Sequence, residues 1–561
     1  MMTPQTQLMV PAQDSGGGMP DFSVGPIDLT VILVYLLLSR IIPLVVSARQ
    51  KKKAAALAKE SGKESSETEQ YFLGGRNFIW PFVGLSLVAT NMSGATFVGL
   101  AGGAYNQGIS IFAYEWMTTV ILSIFIFFIL PFYLRSGVFT LPEFLEKRFD
   151  RRSRMAFAGF NLFANMFIDM AAALFAGAVV IQTLYPEIPI IVSVAALAIL
   201  AAIYTVIGGL GAVMVSDSIQ ATVTIVGGLI VFIATWRAIP SWDEMAQTAG
   251  DEKMSLILPA DNANLPWPGL ITGVLVIGLY YWTTNQLVVQ RTLGAKSLDH
   301  GRWGALMAGF IKLAFLFLFI FPGVMAISLY PNLENPDTVF PTLVFDLVPV
   351  GIRGLILAAV IAAITSTVDS ILNSASTIVT MDFVKTYRPD TSDRSLVLIG
   401  RIATVVALVV AIVWAPTIAQ FETLYGYLQS VLSFLVPPVV AVFLMGIAFK
   451  RINATAAFLT LAILQPAGVL AFYFTQVAPD EPTIQFLYAA GIGFVVAVVM
   501  LIVVSLIGAT PDLEKTDELT WKKKYWKEES EELEGTPFLA NYRVLTIVML
   551  LLTVVLVVWF A

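Results

Sequence analysis

The apolar residues of this chain come in runs of about 20 with few charges, the length at which an α-helix crosses a ~30 Å hydrocarbon core. A transmembrane barrel would instead show ~10-residue stretches of alternating polarity. No soluble core hides so many runs: 57% of the 561 residues are hydrophobic and 13% charged, against about 25% charged in a soluble domain. About fourteen candidate spans can be placed by length and apolarity. They lie at 27–47, 80–104, 109–134, 155–184, 188–207, 215–236, 268–290, 303–330, 353–384, 396–415, 421–448, 454–475, 484–507 and 541–560. The fold class they predict is an all-α polytopic membrane protein.

Charge sets the expected orientation. With the N-terminus outside, an even number of spans leaves both termini outside. All of the 33 lysines and arginines except Arg237, Lys253, Lys312 and Arg353 then fall on the inner side, as the positive-inside rule requires. A multi-pass protein of the cell (plasma or inner) membrane is expected. The polar segment 1–26 has no basic n-region or cleavage site and reads as an outer N-terminal segment, not a signal peptide. An extra helix, 27–47, follows, and then a cytoplasmic connector, 48–79, in which Ala54–Gln70 reads as flexible. A transport core at 80–449 splits into 80–237 and 268–449. Three more helices fill 450–561, around a charged cytoplasmic loop at 508–540 whose WKKKYWKEESEELEG stretch suits a membrane interface. The outer loops 238–266 and 331–350 are lid candidates. A net charge of −6 says little about partners, and zero cysteines exclude disulfides and thiol chemistry. The GGLGAV run at 208–213 lacks the Lys-Ser/Thr of a phosphate loop and follows no strand, and nothing suggests nucleic-acid binding or an enzyme.

The chemistry should lie where polar groups interrupt the spans. TNMSGATFVGLAGG (90–103) and GLYYWTTNQ (278–286) break the first span of each half. Matching breaks point to a midplane site between inverted repeats, because unwound backbone is tolerated only where it lines a cavity. Five ionisable side chains sit inside spans: Glu115, Asp169, Asp217, Lys312 and Asp369. Such groups are costly there and become functional candidates, although each could equally lock helix packing. Glu115 and Lys312 together offer acceptors and donors without net charge, a lining suited to an uncharged polyhydroxyl solute. Gln429 adds an amide, and Tyr281 and Trp282 add flat faces of the kind sugars stack on. Ser366, Ser370, Asn373 and Thr377 form a polar stripe at helical spacing. It reads either as interhelical hydrogen bonding or as half of a cation site. A hard ion such as sodium wants several oxygens, and carbonyls at the Asn91–Gly94 break could supply the rest. Asp217 could be a charged ligand or an interfacial anion. The stripe Asn161, Asn165, Asp169 reads as slightly more structural than functional.

From about Tyr71 to Trp559 the chain resembles the sodium:solute symporters, and within them the sodium/sugar (glucose, galactose, myo-inositol) branch. The likeness rests on ATNMSGATFVGLAGGAY (89–105), YEWM (114–117), LPEFLEKRF (141–149), YTVIGGLGAVMVSDSIQ (204–220), LYYWTTNQLVVQRTLGAKS (279–297) and LNSASTIVTMD (372–382). Tyr204-Thr205-x-x-Gly208-Gly209-Leu210-x-Ala212 is similar to the family's glycine signature. The resemblance implies a five-plus-five inverted-repeat core with discontinuous first helices, one helix before it and three after. It also implies sodium-coupled alternating access. On its positions, sodium is held by the carbonyls of Ala89, Met92 and Ala363 and the hydroxyls of Ser366 and Thr367. Solute is held by Asn91, Glu115, Lys312 and Gln429, Tyr281 gates the inner side with Trp282 beside it, and Asp217 matches the aspartate tied to a second sodium in some members.

Two substrate positions depart. Thr96 stands where sugar carriers have a glutamine or histidine, and Gly278 where the galactose carrier has an asparagine. TVDSILNSAS looks as much like the myo-inositol carriers as the glucose ones. A sodium symporter for a small neutral solute, most simply a monosaccharide, is therefore expected. Myo-inositol, sialic acid, proline or a monocarboxylate are alternatives on the same fold, and a channel or non-transporting sensor is an alternative of another class.

Overall fold

The computed structural model describes residues 24–61, 74–92, 94–138, 140–204, 209–479, 482–512, 516–517 and 519–561. Most of the predicted outer N-terminal segment, the 62–70 part of the connector and positions 205–208 of the glycine signature lie outside the described residues. The rest is helical, with only two isolated bridges, Phe78 to Ala295 and Leu258 to Pro266, among the described residues.

In chain order the helices are α1 (Pro26–Ser61), α2 (Trp80–Asn91), α3 (Gly94–Gln107), α4 (Ile109–Arg135), α5 (Leu141–Arg148), α6 (Arg151–Leu184), α7 (Ile190–Tyr204) and α8 (Gly209–Ala238). After α9 (Trp242–Ala249), a segment at 267–293 of short helical turns ends in α10 (Gln286–Leu293). Then come α11 (Leu298–Leu329), α12 (Val339–Leu347), α13 (Ile352–Tyr387), α14 (Arg394–Gln420), α15 (Leu424–Leu435), α16 (Pro437–Ala448), α17 (Ala454–Val477), α18 (Phe486–Ile507), α19 (Lys523–Glu532) and α20 (Tyr542–Trp559).

Among the described residues, 10 helices are long and apolar enough to cross a membrane, and two bent pairs bring the number to 12. The pairs are α2 with α3, bent by 59°, and α15 with α16, bent by 54° at Pro437. The count of fourteen is not confirmed. Its two remaining spans are α7, which is short, and the 267–293 segment, which two wide helical turns and the extended Asn285 divide. The apolar span Pro26–Val46 agrees with the expected 27–47, but its helix runs on to Ser61, so the first part of the expected connector, 48–61, is helical. Its AAALAKES end is rich in good helix formers, and propensity prevails there over the charge that suggested a loop.

Close approach of small residues sets the core register. A Cβ on Gly84 would lie 2.9 Å from the Gly304 carbonyl, and one on Gly304 would lie 2.6 Å from Val83. Parallel helices α2 and α11 therefore touch backbone to backbone near their first turns. Seven and eight residues further on, about 11–12 Å of helix, that contact brings Asn91 and Lys312 together. Helix α1 is fastened to the outside of this core at two levels. Asp28, fully buried, accepts from Arg353 Nε at 2.8 Å, and Arg40 lies 3.5 Å from Asp369. Asp369 thus serves a helix–helix pair. On the side rich in Lys and Arg, Arg302 pairs with Glu529 and stacks 4.1 Å over Tyr542, which fixes the charged helix α19 to α11.

Candidate solute and cation site

The two predicted breaks meet at one cavity of about 140 Å³. Its walls include Asn91, Thr96, Glu115, Asp169, Tyr281 and Trp282, with Thr367 and Gln429 opposite. Lys312 does not itself line the cavity but contacts two residues that do. Its Nζ lies 2.5 Å from Glu115 Oε2, donates to Asn91 Oδ1, and sits 4.0 Å over the Phe315 ring. The lysine is fully buried and Glu115 is 3% exposed. A buried pair of this kind survives only when the remaining lone pairs and protons find partners, and Asn91 supplies one. Gln429, 8% exposed, has an Oε1 with no donor among the described residues. A buried acceptor without a partner costs about 1–3 kcal/mol, so its place on a cavity wall marks it as waiting for a donor from inside.

The helix break supplies further oxygens. Helix α2 stops at Asn91, where Met92 (φ −80°, ψ 62°) leaves helical geometry after donating to Val88 O. Of the carbonyls at this end, Thr90 O accepts from Tyr281 Oη at 3.3 Å, and Asn91 O from Thr96 Oγ1 at 2.5 Å. Across the cavity, on α13, Thr367 Oγ1 donates to Ala363 O at 2.9 Å within its own helix and keeps its lone pairs free. Thr367 lines the cavity. Ser366 beside it is half-buried, while Ala363, Ala89 and Met92 lie behind the wall. The lower part of the predicted stripe leaves the site altogether, and Asn373 is exposed.

Trp282 donates from Nε1 to Thr118, another wall residue, at 3.0 Å, with Tyr281 edge-on to it at 5.5 Å. Gly278 also lines the cavity, where a Cβ would run into Ile121. Any larger residue there must displace the end of the Ile121 side chain. Asp217 lies elsewhere. Buried at 5% exposure, it accepts from Ser86 at 2.7 Å and lies 3.4 Å from Arg291.

Wall residues not foreseen as such include Asp169, Asn285, Tyr114 and Tyr425. Asp169 sits in a wide helical turn, Asn165–Met170, which carries an extra residue and rotates it towards the cavity. Tyr114 and Tyr425 pack ring to ring at 5.1 Å and close the wall between α4 and α15. The signal for this pair was present in YEWM and YGYLQ, where each tyrosine lies within four residues of a predicted contact.

A family model described as the sodium:solute symporter family matches residues 71–463. Sodium/myo-inositol cotransporter 2 of Mus musculus is 33% identical over 91% of this chain and 81% of its own length. Sodium/glucose cotransporter 1 of Oryctolagus cuniculus is 32% identical over 83% of this chain and 78% of its own. The fold is similar to a solved structure of a Na⁺-coupled sialic acid symporter in a substrate-bound outward-open state, with a TM-score of 0.69, 23% identity, and coverage of 87% of this chain and 99% of that one. An interrupted helix, a buried ion pair facing a small cavity and this match over most of the length agree: the chain belongs to the sodium:solute symporter family, as a multi-pass sodium-coupled carrier and not an enzyme.

Proposed function

We propose that the carrier imports a neutral polyhydroxyl solute of monosaccharide size, a hexose or a cyclic polyol, together with sodium. The observation that carries this reading is the unpartnered Gln429 Oε1 facing the same 140 Å³ cavity as the Glu115–Lys312 pair. Hydroxyl groups can donate to Gln429, Glu115 and Asp169 and accept from Lys312. A carboxylate solute would instead need an uncompensated cation, and Lys312 is already matched. The relatives that carry myo-inositol or glucose by name support the same class. Thr96 and Gly278 bring little polarity to the wall, which favours a solute with an apolar edge on that side.

Sodium is assigned to the carbonyls of Ala89, Met92 and Ala363 and the hydroxyls of Ser366 and Thr367. Bound there, the ion ties the end of α2 to α13, and its charge offsets Asp169 across the cavity. Because the ion favours the joined arrangement, its binding biases the carrier towards the state in which Asn91 and Gln429 face one solute. Tyr281, hydrogen-bonded to Thr90 O at the break, separates the cavity from the basic side and must move for the solute to leave. One charge crossing a 100 mV potential contributes about 2.3 kcal/mol to each cycle. A second sodium at Asp217 would have to displace Arg291. The basic side is placed in the cytoplasm and both termini outside.

Counterflow in proteoliposomes, with and without internal sodium, tests this with labelled glucose, galactose, myo-inositol, proline and sialic acid. A hexose or inositol should exchange only when sodium is present. Uptake that ignores sodium would overturn the coupling, and proline outcompeting every polyol would overturn the solute class.

A further inference from the structure

A second and much larger cavity, of about 1130 Å³, opens on the flank of the molecule at the side of the basic loops. It is a seam between the core and the helices after it. Helix α6 contributes Phe160 and Phe163, α13 contributes Phe383, and α17 contributes Leu461 and Val469. Gly159 widens it, since a Cβ there would touch nothing nearer than Phe383 at 3.9 Å. At the basic end stand Arg151 and Arg152, the first residues of α6, both exposed. Arg152 donates to Asp150 at 2.8 Å and to Thr455 at 3.5 Å, and lies 5.4 Å from the Phe458 ring. Arg151 donates to the Thr386 carbonyl, and among the described residues no carboxylate pairs with it. An arginine carries five N–H donors, so both forks keep donors for an anion. Gln465, buried with its Nε2 unpaired, lies ten residues along α17 from Thr455, about 15 Å deeper. That is beyond headgroup depth, so an anion seated on the two arginines does not reach it.

An apolar, bilayer-facing groove that ends in two guanidinium groups at the membrane surface matches one ligand chemistry, a phosphate on acyl chains. We propose that the seam binds an anionic phospholipid of the leaflet on the basic side. Its phosphate lies on Arg151 and Arg152, and one acyl chain lies along Phe160, Phe163, Leu461 and Val469. Arginine forks suit phosphate oxygens in two-point contacts, and basic residues at the membrane surface favour anionic lipid. The lipid would wedge between α6 and α17 and fill a space that no side chain of the seam fills.

The test is thermal unfolding of the purified full chain in detergent, titrated with phosphatidylglycerol, phosphatidylcholine or inorganic phosphate. Phosphatidylglycerol should raise the unfolding temperature saturably, and the other two should not. In the Arg151→Gln, Arg152→Gln double variant the half-saturating lipid concentration should rise about thirtyfold. Ala462→Trp, which fills the exposed lip of the groove and leaves both arginines, should weaken the same response. It keeps the question decidable if the double variant does not fold. Equal shifts with phosphatidylcholine would overturn the headgroup assignment, as would a full response to inorganic phosphate. An unchanged phosphatidylglycerol response in both variants would overturn the site.

Discussion

Among the described residues, two ion pairs with both partners buried lie within the helical core of this carrier, and one of them borders the candidate cavity. Glu115–Lys312 joins α4 to α11, and Glu115 shares that cavity with an amide oxygen that has no donor among the described residues. Asp217–Arg291 joins α8 to α10 away from that cavity and is held by Ser86 and the Leu287 carbonyl, with Arg291 Nε left without a partner among the described residues but facing no such space. Both pairs bear the same desolvation cost. Unused hydrogen-bonding capacity at the edge of a space therefore separates a binding pair from a bracing pair, and charge in a membrane helix alone does not.

The largest effect should come from breaking the first pair. Lys312→Ala leaves Glu115 as a buried carboxylate without its cation, a loss of about 3–5 kcal/mol, and sodium-driven uptake should fall by more than about a hundredfold. Uptake within about fivefold of the parent would mean the cavity pair is a brace after all. Arg291→Ala should act differently, lowering the unfolding temperature and the yield of folded carrier. The solute concentration for half-maximal uptake should stay as it was in the protein that survives, and a changed value would erase the distinction. Ser366→Ala or Thr367→Ala should raise the sodium needed for half-maximal uptake about tenfold, through loss of one oxygen ligand, and leave uptake at saturating sodium nearly intact. An unmoved sodium dependence would remove these hydroxyls from the ion site.

The smallest effect concerns another buried carboxylate, one with no cation paired to it among the described residues. Asp337, in the loop before α12, accepts from the Leu424 N–H at 2.8 Å at the start of α15, and its other oxygen has no partner among the described residues. Burial pushes its pKa from 3.8 up to about 7. Between those values the folded chain holds a proton that the unfolded chain has lost, so the stability of this contact is greatest at low pH and falls as pH rises through the window. The unfolding temperature should drop by a few degrees between pH 5 and pH 8 in the parent. In Asp337→Asn, which keeps a neutral side chain throughout, it should stay flat.

Much of the solute site was legible because its residues are chemically out of place. A lysine and a glutamate in apolar spans, and a glutamine in YGYLQ, announce themselves without any knowledge of packing, and the structure brings all three together. Asp169 is just as conspicuous by type, but its place on the cavity wall was not legible. The stripe Asn161, Asn165, Asp169 assumes a regular 3.6-residue turn, and the wide turn at Asn165–Met170 breaks that period. Asp369 shows the converse. It stood out as an ionisable group inside a span, but its partner is Arg40, on a helix more than 300 residues away in sequence, and no local pattern reports such a contact. The span count stays unconfirmed where length is the criterion. Helix α7 is short, and the 267–293 segment is continuous in hydropathy but not in backbone.

The Gly84–Gly304 crossing bears on how such a carrier can move. With the Gly84 and Gly304 backbones close together and the side chains of Val83 and Met307 wedged beside them, sliding of α2 along the first half of α11 would force a clash, so Asn91 and Lys312 should move as one jaw. Gln429, on α15, belongs to the facing one. Opening and closing then amounts to changing a single gap, and spin labels on α11 and α15 should report that distance shifting with sodium and solute while a pair on α2 and α11 stays fixed.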